Sequence, residues 1–66
     1  MEIYVNGEGR KVPDDCTAAQ LVSVLGLEGQ RIAMEVNTEI VPRSAYPAHP
    51  LQAGDRVEIV NAIGGG

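Results

Sequence analysis

Apolar and polar residues alternate at the start of the chain, Ile3 and Val5 against Glu2 and Tyr4. A period of two predicts a half-buried strand. Asn6-Gly7-Glu8-Gly9 follows as a turn, because Asn and Gly accept the positive φ that hairpin turns demand. A short second strand is expected around Arg10 to Val12, stopped by Pro13-Asp14-Asp15. The period then changes. Ala18, Leu21, Val22 and Leu25 recur at helical spacing. Thr17 and Gln20 match a capping box, and Gly26 suits a helix stop. One helix is predicted over Ala18 to Leu25. Alternation returns at Ile32, Met34 and Val36 as a third strand. After a turn at Asn37-Thr38-Glu39, Ile40-Val41 forms a short fourth strand ending at Pro42. Pro47 and Pro50 make Arg43 to Leu51 irregular, with one helical turn at most. Ala53-Gly54-Asp55 turns into a last strand at Val57 to Val60.

The order is strand, strand, helix, strand, short strand, strand. A single helix must cover one face of one mixed sheet. As the connection from the hairpin to later strands, it favours a right-handed crossover. The predicted class is α+β, compatible with a β-grasp (ubiquitin-like) roll. The predicted core is Ile3, Val5, Leu21, Leu25, Ile32, Met34, Val36, Val57 and Ile59, where strand and helix periodicities converge on one face.

At 66 residues the chain has room for one small domain. We divide it into a body at 1–61 and a flexible glycine-rich tail at 62–66. Such a body buries only about 60% of its unfolded surface, so it has little stability to spare. Nine acids against five bases give a net charge of −4, which opposes a phosphate backbone and suits a partner with a basic surface. No Trp or Phe is available for stacking bases, so no nucleic-acid partner is expected. One Cys and one His fall short of a disulfide or a zinc site. No leader pattern opens the chain and no apolar run approaches membrane-spanning length, so the expected location is the cytoplasm, away from membranes.

Few residues point to chemistry. Gly7-Glu8-Gly9 lacks the third glycine and the following helix of a dinucleotide fingerprint, and reads as a turn. Cys16 reads as a small packed hydrophobe and His49 as a structural or surface residue. Asp14 and Asp15 read as acids favouring the helix macrodipole rather than a catalytic pair. Arg43 reads as solvated or capping. No nucleophile–base pair, metal cluster or phosphate cradle can be assembled, so the chain is not expected to be an enzyme.

Gly64-Gly65-Gly66 stands apart. A glycine run has no side chains and threads a narrow channel in extended form. At its tip is an α-carboxylate, a poor acyl donor until an oxygen becomes a leaving group. A slender tail on a compact body can deliver that carboxylate into another protein's active site. The bland alternative is a frayed end. Strand alternation also turns Tyr4, Glu58 and Val60 away from the helix, leaving an exposed patch that leads into Ala62, Ile63 and Gly64. Tyr4, Glu58, Val60, Ile63 and Gly64 are the expected partner-binding residues, with the Arg43 to Leu51 segment as the alternative surface.

Several stretches carry a family resemblance. They are Val36-Asn37, Ile40-Val41-Pro42-Arg43, the run Leu51-Gln52-Ala53-Gly54-Asp55-Arg56-Val57-Glu58-Ile59-Val60, and the Gly65-Gly66 end. Met1 to Gly7 and Ala18 to Val22 fit more loosely. Together they resemble the ThiS family, the sulfur carriers of thiamin biosynthesis, over essentially the whole chain. The resemblance implies a β-grasp fold and a carrier that binds no cofactor. Gly66, supported by Gly65, would be adenylated with ATP by an E1-like adenylating enzyme. Sulfur from a sulfur-donor protein would then give a C-terminal thiocarboxylate, and thiazole synthase would take that sulfur into the thiazole ring. Gly64 departs from the family pattern as a third glycine. Two alternatives stay open. One is a molybdopterin-type sulfur carrier, whose family tends to be longer and more aromatic. The other is a non-reacting ubiquitin-like binding module.

Overall fold

The computed structural model describes residues 1–62. Five strands form one sheet: β1 (Glu2–Val5), β2 (Glu8–Lys11), β3 (Ile32–Val36), β4 (Glu39–Val41) and β5 (Arg56–Asn61). Their order across the sheet is β2-β1-β5-β3-β4. The first and last strands pair in parallel, and all other neighbours are antiparallel. It follows that β2 and β3 run the same way, and the helix α1 (Ala18–Val24) crosses between them.

Both hairpins turn on two residues. Asn6 and Gly7 both have positive φ (51° and 87°), as do Asn37 and Thr38 (51° and 71°). Two successive positive φ values match the twist of the flanking strands, which is why Asn-Gly is favoured there. The first turn is therefore shorter than the sequence suggests. Glu8 and Gly9 already pair with Val5 and Tyr4, and β2 ends at Lys11 rather than Val12. A Cβ at Gly9 would lie 2.9 Å from the Glu2 carboxylate, the far end of an exposed side chain that can swing aside.

The helix is bounded as its sequence demands. The Thr17 hydroxyl accepts from the Gln20 N–H at 3.2 Å, and the Thr17 N–H donates to the Gln20 side chain at 2.9 Å. At the other end Gly26 takes φ 72°. The Leu27 N–H donates to the Val22 carbonyl and the Gly26 N–H to the Ser23 carbonyl, the two bonds of a Schellman stop. Leu25 is thus the cap, one residue beyond the last helical position.

Ile3, Val5, Leu21, Met34, Val36, Val57 and Ile59 are buried between helix and sheet, as their periodicity predicts. Leu25 and Ile32 pack against this core while staying half-exposed. Val12, Cys16, Ala18, Val41, Tyr46 and Leu51 complete it. Tyr46 arrives on a six-residue 3-10 helix, Arg43–Ala48, more regular than two prolines suggest. Pro47 lies near the end of this helix and lacks the N–H that would donate three residues back to Ser44, so that one bond is forgone. Bonds from the Ala18 N–H to the His49 carbonyl and from the Leu51 N–H to the Cys16 carbonyl, both 2.9 Å, pin the following chain to the helix entry. Asp14 serves a different role from the expected one. Its carboxylate pairs with the Met1 α-ammonium at 2.8 Å, and no acid lies in the first helical turn.

Candidate functional site: the central strand and the open sheet face

The strand that leads to the terminal glycines is the middle strand of the sheet. Residues 63–66 lie outside the described residues, so Ile63, Gly64, Gly65 and Gly66 are not placed here. What the structure places is their base. The Ala62 N–H donates to the carbonyl of Arg31, the residue before β3, at 2.9 Å, so the chain stays paired to its last described residue.

Two asparagines hold β5 from the hairpin turns. At its start, the Asn37 side-chain oxygen accepts from the Arg56 N–H and its amide donates to the Asp55 carboxylate, both at 3.0 Å. Asp55 also accepts from the Gln52 N–H at 2.8 Å, which closes the turn at Gly54. Further along, the Asn6 side-chain oxygen accepts from the Ile59 N–H at 2.8 Å. Its amide donates to the Ile59 carbonyl at 3.1 Å. The sequence marks both asparagines only as turn residues. Their second contacts cross 53 and up to 19 positions, beyond any local pattern.

The open face of the sheet carries the expected patch. Tyr4 is 41% exposed and Val60 62%, while Glu58 is exposed between them in strand order. Tyr4 and Glu58 line a shared hollow of about 460 Å³ with Gly7, Gly54, Arg56 and Val57. Val60 is not part of that hollow and stands one alternation nearer the end of β5. Glu58 sits directly opposite Glu35 on β3, and both are exposed. Like charges in register oppose strand pairing by roughly 0.2–1 kcal/mol. The ion pair found among the described residues is the one at Met1 and Asp14, so neither glutamate has a cation at ion-pair distance. Exposed Ile40, opposite Glu35 on β4, extends the apolar part of the face.

The other titratable candidates are structural. Cys16 is fully buried, and burial together with nearby Asp15 pushes its thiol above the usual range, away from the reactive thiolate. His49 contributes its backbone to the helix entry. Arg43 is exposed on the rim of a groove of about 270 Å³ beside Val22, Leu27, Ile32 and Tyr46. Among the described residues no group of acids, His and Cys could hold a metal ion. None of their helices is long and apolar enough to cross a membrane.

A model of the ThiS family matches residues 3–66. The chain belongs to the ThiS family. It is 29% identical to the sulfur carrier protein ThiS of Escherichia coli, each covering the whole of the other. It is 41% identical over 66 residues to a thiazole synthase of Paramagnetospirillum magneticum and 38% identical to one of Magnetococcus marinus. The chain spans only 20% of the length of each of those two proteins. Among solved structures, the thiamine biosynthesis protein (ThiS) of Geobacter metallireducens superposes with a TM-score of 0.86 at 30% identity, with both chains covered completely. The mixed sheet with one main helix is thus the β-grasp of ThiS structures.

Proposed function

We propose that this ThiS-family chain is a sulfur carrier of thiamin biosynthesis that reacts at Gly66. The observation that carries this reading is the family match, which runs through the glycine end to residue 66. The whole-length likeness to the sulfur carrier of Escherichia coli supports it. In the proposed cycle a carboxylate oxygen of Gly66 attacks the α-phosphorus of ATP in the active site of an E1-like adenylating enzyme, and pyrophosphate leaves. The outer sulfur of a persulfide on a sulfur-donor protein then attacks the acyl carbon and AMP departs with the oxygen; a thiol cleaves the S–S bond of the acyl disulfide so formed, leaving a disulfide and the free thiocarboxylate. The resulting thiocarboxylate hands its sulfur to thiazole synthase. In this division of labour the carrier supplies no catalytic group and holds no cofactor.

The two thiazole synthases that contain a segment like this chain support the last partnership. A carrier and its acceptor joined in one polypeptide would meet at high effective concentration. A carrier free of the synthase must instead find it by docking. The hollow of Tyr4 and Glu58, with Val60 beyond it, is the surface we assign to the activating enzyme. Tyr4 supplies the anchoring ring, and the unpaired Glu35 and Glu58 carboxylates favour a basic counterpart. Residues 62–66 act as the arm, with Ile63 and Gly64 leading from the patch to Gly65 and Gly66. The cytoplasm, where ATP is at hand, is the compartment this cycle requires.

Deleting Gly66 tests the reading. The truncated chain should keep its fold and lose ATP–pyrophosphate exchange with the activating enzyme. Undiminished exchange by the truncated chain would refute reaction at Gly66.

A further inference from the structure

Backbone pairing between β1 and β5 stops early. The Asn6 N–H donates to the Val57 carbonyl at 2.8 Å, and then the first chain turns away at Asn6-Gly7. The alternation of β5 shows what this leaves. Val57 and Ile59 turn their backbone groups toward β1, whereas Ala62 turns its N–H toward β3. Past Val57, the β1 side of the strand has no further backbone to pair with. Asn6 supplies the missing peptide group. Its carboxamide meets both the N–H and the carbonyl of Ile59, as a neighbouring strand would. It extends the grip on β5 by two residues toward the end from which the glycines spring.

We propose that Asn6 is a positioning residue for tail delivery, holding the end of β5 so that the chain up to Ala62, the last described residue, is held at a fixed point of the sheet. The proposal rests on the carrier reading above. Without the carboxamide, Ile59 to Ala62 are held on the β3 side alone. The partner enzyme must then order this stretch before the acyl group is in place. The open face that docks the body is untouched, so the loss falls on turnover rather than on apparent affinity.

Asn37 provides a matched control. It has the same φ of 51°, and its carboxamide likewise contributes two bonds, one to the backbone of β5 and one to the Asp55 carboxylate just before it. Glycine at either site tolerates the positive φ and keeps the backbone bond, so it removes the carboxamide alone. The experiment compares Asn6→Gly with Asn37→Gly by amide hydrogen exchange and by ATP–pyrophosphate exchange with the activating enzyme. Asn6→Gly should speed exchange of the Val60 and Ala62 amides, which face β3, about tenfold more than Asn37→Gly does, the equivalent of about one hydrogen bond lost. Its kcat should fall by about the same factor, with KM for the carrier within about twofold of the parent. Should Asn6→Gly not fold, Asn6→Asp replaces it: one oxygen still accepts from the Ile59 N–H, while the other cannot donate and so loses the bond to the Ile59 carbonyl. Equal exchange at Val60 and Ala62 and equal kcat in the two variants would overturn the proposal and leave Asn6 a stabilising residue only. If the parent chain is not activated at all, the carrier reading fails, and the exchange comparison alone decides whether Asn6 holds the strand end.

Discussion

The two faces of the sheet are built from the same strands and obey opposite rules. On the helix side, Ile3, Val5, Met34, Val36, Val57 and Ile59 are buried and every one is aliphatic or Met. On the open side, Tyr4, Glu35, Ile40, Glu58 and Val60 are exposed, and two carboxylates oppose each other across the central pair of strands. The first face is what stability alone would select. The second includes a repulsive pair and large apolar groups in water, features that do not serve the fold. On the proposed function, the domain places its fold and its recognition on alternate residues of the same strand, with Val57 and Ile59 serving one and Glu58 and Val60 the other.

The sharpest way to break that division is to truncate both kinds of residue. Leu21→Ala or Val57→Ala should cost roughly 2–4 kcal/mol, read from denaturant midpoints. That is a large share of the roughly 3–5 kcal/mol that a core of this size supplies. Val60→Ala should move stability by no more than about 0.5 kcal/mol. Comparable losses on the two faces would mean that the open face is covered by something in the folded protein. The next effect is on recognition. Tyr4→Ala with Val60→Ser should keep the fold and raise KM for the carrier in adenylation about tenfold, the weight of a modest interface anchor. An unchanged KM would move the docking surface to the groove beside Arg43, Tyr46 and Ile32. The smallest effect lies at the edge of the body. The Met1 α-ammonium holds the Asp14 carboxyl below its usual range, by a hydrogen bond first and by charge second. A lowered carboxyl pKa stabilises the fold above the unfolded value, and this stabilisation is lost as pH falls through the folded one. Asp14 is fully exposed, so solvent leaves the effect slight. Stability curves of the parent and Asp14→Asn should differ near neutrality and converge in acid. A gap that persists in acid would mean that Asp14 acts by packing instead.

Local pattern made most of the fold legible. Alternation located β1, β3 and β5, and the Thr17–Gln20 pair with Gly26 bounded α1 to within a residue. What escaped has a common cause. Val12, Val41 and Leu51 are single buried residues at the end of a strand or in the loops between elements, where no period has room to show. Tyr46 is buried from a 3-10 helix, whose few residues carry no amphipathic repeat. Asn6 and Asn37 announce a turn and conceal a clamp, because the backbone they grip is distant in sequence. Within the site, exposure of Tyr4, Glu58 and Val60 followed from the alternation that buried their neighbours. The opposition of Glu35 and Glu58 did not, since it depends on the register between β3 and β5.

Carrier function rests on the chemistry of the C-terminus, and the mass of the intact protein reads that chemistry directly. Incubated with ATP, its activating enzyme and a sulfur source, the chain should gain the difference between sulfur and oxygen, with the change confined to the peptide that ends at Gly66. A second sample without ATP should show no change. An unaltered mass under conditions in which the same enzyme activates another ThiS-family carrier would contradict reaction at Gly66, and would leave a ubiquitin-like module whose open face binds without reacting.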